Sequence, residues 1–147
     1  MTEMQAAIGR IQLKRMPDWH KRRLSNANRI WRAAKQCNVL RVPTIPSDIE
    51  HAAYKCYVFV NGDVDLRNKI MREINEKDVP CYSGSCSEVY LEKAFDNTGF
   101  KPKERLSNAK KLGETSLMFL VHPTLTKEEI QKTCDVLTEV ALANYGG

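Results

Sequence analysis

The stretch Tyr82-Ser-Gly-Ser85 is the most chemically suggestive part of the chain. Small, hydroxyl-bearing residues between a strand and the start of a helix can present donors and backbone N–H groups to an anionic or sugar-like ligand. The same residues also suit an ordinary connector in which Ser85 or Ser87 caps the following helix. Beside it, Cys81 paired with one of the three histidines, His20, His51 or His122, could form a nucleophilic couple, but no local signature supports one. His122 stands before Pro123 at the end of an apolar run, a position open to a cleft or to plain solvent. Cys81 and Cys86 have four residues between them and no second pair at matching spacing, which argues against zinc. Gly62, Gly84, Gly99 and Gly113 are isolated; neither GxGxxG nor GxxxxGK[ST] occurs, so nucleoside-triphosphate chemistry lacks its phosphate cradle.

The elements that must position these groups come from a chain of 147 residues, 42% hydrophobic and 28% charged, enough for one domain with a sizeable core. No run approaches the roughly 18–20 apolar residues of a membrane span, and no signal-peptide pattern is present. The five cysteines, at 37, 56, 81, 86 and 134, lie mostly in apolar stretches and suit buried free thiols in a reducing cytoplasm. Charge is uneven. Residues 1–36 hold nine Lys or Arg against Glu3 and Asp18, a local balance of +7, whereas the other 111 residues hold 14 basic and 16 acidic side chains. The sequence pI near 9.0 therefore describes one segment: either a helix with a solvated basic face or a contact with phosphates.

Apolar positions 4, 7, 8 and 11, then 24, 27, 30, 31 and 34, predict one long helix over residues 1–36, kinked or broken near Pro17, with Asp18 able to cap a second helix. Pro43 and Pro46 mark residues 38–47 as a connector and place a boundary before a domain over 37–147. Tyr54–Val60 reads as a strand, and Asp63 or Asp65 opens a helix. Val79–Cys81 fits an edge strand, and Glu88–Phe95 a helix. A short helix over Leu106–Leu112 is ended by Gly113; Ser116–Val121 is a buried strand, stopped by His122-Pro123. Thr126 and Glu129 form a capping box for a helix reaching about Asn144. The fold class is α/β of the α+β type: a small sheet of about three strands, with mixed or antiparallel pairing, covered by helices and preceded by a long N-terminal helix.

The opening MTEMQAAIGRIQLKRM (1–16) resembles the stretch following the Asn-Tyr-Arg turn in the DegT/DnrJ/StrS family of sugar aminotransferases. AAYKCYVFV (52–60), LRNKIMREINEKDVP (66–80), CYSGSCSEVYLEKAF (81–95) and SLMFLVHPTLTKEEI (116–130) agree with that family in the same order. The resemblance implies pyridoxal phosphate (PLP) as cofactor in full-length members and a nucleotide-linked keto sugar as substrate. It also implies that this chain is the C-terminal small domain of a PLP-dependent transferase, without the large domain that carries the Schiff-base lysine, the acidic partner of the ring nitrogen and most of the phosphate cup. The Asn-Tyr-Arg turn, resembling a contact to a neighbouring subunit's site, would fall just before Met1.

The chain alone is accordingly expected to bind no cofactor and to lack transaminase activity. Its expected partner is the missing large PLP domain or a second subunit. Family members often have His-Tyr-Pro at the edge of the substrate cleft where this chain has Cys81-Tyr82-Ser83; Tyr82 matches, and the two replacements imply a different sugar. The expected substrate-binding residues are Tyr82, Ser83 and His122, the last standing at a commonly aromatic position before the matched Pro123. The basic helix, Arg22 and Arg23 included, is expected near a nucleotide diphosphate. Apolar residues Met4, Ile8 and Ile11, if uncovered, should drive self-association. Two other readings stay open: a free-standing binding module derived from the domain, and a nucleic-acid-binding domain, which lacks the aromatic-interleaved platform it would need.

Overall fold

The hydroxyl of Thr2 accepts the amide hydrogen of Gln5, and the Gln5 side chain accepts that of Thr2, a capping box that starts α1 at Glu3. In the computed structural model, which describes residues 1–145, α1 runs from Glu3 to Ala34 as one helix of 32 residues. Helical rise makes it about 48 Å long. The break expected at Pro17 does not occur, and Asp18 sits inside the helix rather than at a cap. Only the far end of α1 enters the core. Ala27, Ile30, Trp31 and Ala34, at i, i+3, i+4 and i+7, are its buried residues, and they pack in the same cluster as Val58, Leu117 and Leu137. The expected boundary between residues 36 and 37 thus falls next to a shared core.

Four strands form one antiparallel sheet in the order β1-β2-β4-β3: β1 Leu40–Arg41, β2 Cys56–Val60, β3 Cys81–Tyr82 and β4 Ser116–Phe119. β1 lies in what sequence alone reads as connector; Leu40 pairs with Val60 before Pro43 can end the ladder. Every residue of β4 is buried, as its uninterrupted apolar run requires. On β2 the burial alternates, with Cys56, Val58 and Val60 facing the core and Tyr57 and Phe59 half-buried on the other side. Helices α2 (Val64–Glu76, capped by Asp63) and α4 (Lys127–Ala143, capped by Thr126 with Glu129) contact each other, and α4 contacts α1.

Two expected helices differ. Glu88–Phe95 forms two single 3-10 turns, Val89–Leu91 and Lys93–Phe95, in place of an α-helix. Val89 and Leu91 remain exposed, so no apolar face is buried to repay nucleation of so short a helix. Helix α3 runs over Ser107–Thr115, straight through Gly113. That glycine is a spacer rather than a cap: a Cβ there would sit 2.1 Å from Ser87 Oγ.

Candidate functional site

Residues directly opposite one another in an antiparallel ladder share a face, and this fixes the first part of the site. Met118 pairs with Tyr57 on one side and with Tyr82 on the other, so the three lie in one row on the sheet face away from the core. Alternation along β2 puts Phe59 on that face and directs Lys55, just before the strand, to the same side. Phe59 is half-buried under the guanidinium of Arg41, 4.4 Å from its ring centre.

The loop after β3 folds over this row and is held at three points. Tyr57 Oη accepts the Ser85 amide hydrogen at 3.2 Å, Lys55 Nζ donates to Ser85 Oγ at 3.0 Å, and Ser116 Oγ donates to the Ser83 carbonyl at 2.6 Å. Burial pushes the Tyr57 phenol up, but hydrogen bonding with Ser85 and the Lys55 charge outweigh it and hold the group below its ordinary value. Asn75 fixes the base of the loop, accepting from the Cys81 amide and donating to its carbonyl.

Beside the loop lies a groove of about 420 Å³ lined by Glu50, His51, Tyr54, Lys55, Tyr57 and Ser85 among others. It shares Glu50, Ala52 and Tyr54 with a larger hollow of about 850 Å³ against α1, where Leu13, Met16, Trp19, His20 and Arg23 form the wall. The segment between them is locked in shape. His20 Nε2 donates to the His51 carbonyl at 2.9 Å and His20 Nδ1 lies 3.4 Å from Glu50. His51 Nδ1 accepts the Ala53 amide hydrogen at 3.0 Å, which fixes its own proton on Nε2. Ala53 is fully buried at φ +47°, a left-handed conformation that costs a non-glycine residue about 1–2 kcal/mol. Arg23 reaches the Tyr54 carbonyl at 3.4 Å, and both Arg23 and Lys55 stand within 6 Å of the Tyr54 ring centre, at 5.7 and 5.9 Å. Cations, hydroxyls and an aromatic face together suit a polar ligand carrying negative charge.

Of the three expected substrate contacts, two sit at this face. Tyr82 is exposed in the row with Tyr57, and Ser83 is exposed in the pinned loop. His122 follows the Phe119 end of β4, alongside which Lys55 and Tyr54 continue from Cys56, but it lines neither hollow; its Nδ1 is bonded to Thr124 Oγ1 at 2.7 Å and its carbonyl accepts from Asn26. Cys81 points into the core, and burial pushes its thiol up to about 12, leaving it protonated and unsuited to nucleophilic work. Among the described residues no group of His, Cys, Asp and Glu could hold a metal ion. Sequence reasoning missed Tyr57 and Tyr54 as site residues; for Tyr57 the available signal was the alternation of 55, 57 and 59 opposite the buried 56, 58 and 60, and no such signal marks Tyr54.

The family model described as the DegT/DnrJ/EryC1/StrS aminotransferase family matches residues 1–138. An aminotransferase from Psychrobacter cryohalolentis is 51% identical, with a TM-score of 0.89 over 100% of this chain and 40% of that one. The aminotransferase TlmJ from Streptoalloteichus hindustanus (22% identity, TM-score 0.82, 94% of this chain and 36% of that one) shares the fold. So does S. venezuelae DesV, at 20% identity and a TM-score of 0.84, covering 96% of this chain and 37% of that one. The chain spans well under half the length of these relatives. No curated protein matches it.

Proposed function

The chain belongs to the DegT/DnrJ/EryC1/StrS aminotransferase family, and from that premise we propose that it is the C-terminal, small-domain portion of a nucleotide-sugar aminotransferase. The reaction is transfer of an amino group from an amino acid, glutamate in this reading, to a keto sugar for amino-sugar and polysaccharide synthesis. One observation carries the proposal: 51% identity and a TM-score of 0.89 over the whole of this chain, against a relative of which it spans 40%.

Pyridoxal phosphate is the cofactor of such an enzyme and supplies, when bound, the electron sink for amino-group transfer. The groove residues do not fit it by themselves. Lys55 Nζ is held by Ser85 Oγ, Glu50 is held beside His20, and neither a glycine-rich turn nor a helix N-terminus lines the groove to cradle a phosphate. The proposal therefore gives cofactor anchoring to the part of the fold outside this chain, and gives this chain no transamination alone.

What these residues supply is one wall of a substrate cleft. Lys55 and Arg23 offer positive charge to a diphosphate, and the Tyr54 ring offers an apolar face to a base or sugar. Tyr82 shares the sheet face of Tyr57, Ser83 begins the pinned loop, and that loop brings Ser85 to the wall. His122 is left out of the contact set because it lines neither hollow and its ring is bonded to Thr124. None of the described helices is long and apolar enough to cross a membrane; a cytoplasmic location is proposed on the five free thiols, four of them buried.

The test combines this chain with the complementary portion of the Psychrobacter aminotransferase, pyridoxal phosphate, glutamate and a nucleotide-linked keto sugar, and detects the amino sugar by mass spectrometry. Product is expected only when both polypeptides are present. Lys55→Ala and Tyr82→Ala should each raise KM for the sugar nucleotide about tenfold with kcat little changed. Turnover by this chain alone, or none by the assembled pair, overturns the proposal.

A further inference from the structure

Residues 42–45 run beside the C-terminal end of α1 and leave a groove of about 420 Å³ between the two. Asn28, Trp31, Arg32 and Lys35 line it from the helix, and residues 42–45 from the segment after β1. At 100° per residue, positions 28, 31, 32 and 35 share one face of a helix, so these four side chains converge on the same hollow. Pro43 and Pro46 keep the opposite wall extended, since each fixes its own φ and holds the residue before it out of the helical region.

The groove joins an apolar floor to a cationic rim. Trp31 is buried, with Val42, Pro43 and Ile45 half-buried beside it, whereas Asn28, Arg32, Lys35 and Thr44 are exposed. The floor is fixed in advance: the Trp31 indole N–H donates to the Tyr57 carbonyl at 3.0 Å, and the ring stands edge-on to His51 with centres 5.6 Å apart. The rim is uncommitted. Among the described residues Arg32 and Lys35 enter no ion pair, and no carboxylate lines the groove. Asp135 and Glu139, which border Arg32 on its other side, are taken by Gln131 and Lys77. The helix end does not use the two cations either, because the Trp31, Ala33 and Ala34 carbonyls accept the amide hydrogens of Lys35, Gln36 and Cys37. Arg29, beside them, is by contrast engaged with Gln131 and the Lys127 carbonyl. At i, i+3 the two free cations repel each other until an anion comes between them. The Thr44 and Ile45 amides add two donors without a partner among the described residues.

We propose that this groove is a binding site for a small phosphate monoester with a flat apolar body, of the nucleoside monophosphate class. Arg32 and Lys35 match the charge of about −2 that such a phosphate carries at neutral pH. The Arg32 fork takes two phosphate oxygens and Lys35 adds a point charge. The base rests on Trp31, Pro43 and Ile45, and Asn28 and Thr44 are left for the sugar hydroxyls. A nucleic-acid strand fits less well. The next cation along this face, Lys21, stands three turns back from Arg32, about 16 Å away, and no row of aromatic rings follows the groove to stack successive bases. The proposal is independent of the transferase reading, since the groove shares no lining residue with either hollow of the candidate site.

The test titrates the 147-residue chain with adenosine monophosphate by calorimetry, and one site per chain is expected. Arg32→Ser/Lys35→Ser should weaken binding roughly tenfold or more, whereas Arg10→Ser/Lys14→Ser, which removes the same charge from the other end of α1, should change it by less than about twofold. Adenosine and inorganic phosphate should each bind roughly tenfold or more weakly than the nucleotide, since each uses only the floor or only the rim. Circular dichroism checks that both double variants remain folded. Amide shifts in NMR spectra of the unaltered chain locate the ligand without any substitution, and Thr44 and Ile45 should move. Absence of binding, an equal loss in both double variants, or inorganic phosphate binding as tightly as the nucleotide overturns the proposal. So do shifts confined to residues 50–57, which would put the nucleotide in the candidate substrate groove, and a single-stranded RNA that binds where the mononucleotide does not.

Discussion

The phenol oxygen of Tyr57 accepts the amide hydrogen of Ser85 at 3.2 Å, joining the middle of β2 to the loop after β3. The same residue's carbonyl accepts from the Trp31 indole at 3.0 Å, so a buried α1 residue and the exposed loop are held through one tyrosine. The site's shape is thereby tied to the core rather than to the loop's own preferences.

Replacing Tyr57 with Phe keeps the ring and removes the acceptor. The expected loss is about 1 kcal/mol, the usual net value of one hydrogen bond, read as a lower urea midpoint with an unchanged slope. Amide exchange at Ser85 should quicken at the same time. An unchanged Ser85 rate would mean that Lys55 and Ser116 hold the loop without Tyr57.

Gly84 is a stricter constraint. Its φ is +94°, and a Cβ there would lie 2.5 Å from Tyr57 Cε1. Gly84→Ala should destabilise by about 1–3 kcal/mol, combining backbone strain with overpacking. In Tyr57→Ala/Gly84→Ala the clash disappears and the strain stays, so the double variant should lose less than the two single losses added together. Thermal denaturation of the four proteins measures this coupling.

Local signals made much of the fold legible. The Thr126–Glu129 capping box, the Asp63 cap and the apolar run from Ser116 each report interactions that their own neighbours satisfy, and each element stands where expected. The failures involve partners distant in sequence. Leu40–Arg41 is a strand because Phe59 and Val60 are there to pair with it, and the helical position 113 is a glycine because Ser87 leaves no room there for a Cβ. The site divides the same way. Tyr82 and Ser83 could be picked out by type and position, whereas Tyr57 joins them only through the register that sets it and Tyr82 on either side of Met118.

The segment between β3 and α3 hangs on Glu88. Its nearly buried carboxylate accepts from Arg105 Nε at 2.9 Å, from Arg105 Nη2 and from Tyr90 Oη at 2.6 Å, while Tyr90 Oη accepts the Leu106 amide hydrogen. Those hydrogen bonds, Arg105's first and then Tyr90's, hold the carboxyl down to about 2 from an ordinary 4.5. Because the folded value is the lower one, the contribution is fully present above pH 4.5 and is lost as pH falls through about 2. Glu88→Gln should flatten that acid limb in denaturation midpoints taken across the window. A limb equally steep in the variant would assign the acid sensitivity to other carboxylates.

Pro17 sits inside a continuous helix, where its ring removes one amide donor to the Leu13 carbonyl and crowds that turn. An interior proline costs roughly 3 kcal/mol of helix stability relative to alanine, so Pro17→Ala should strengthen α1. Where the gain appears is the informative part. No α1 residue before Ala27 is buried, so the first half of the helix can fray without opening the core. The expected result is slower amide exchange over residues 3–16 and a stronger helical signal, with the main unfolding midpoint moved by only about 1–2 °C. A shift of the full size in that midpoint would show that the whole helix unfolds with the domain, and would make its first half part of the same cooperative unit as the sheet.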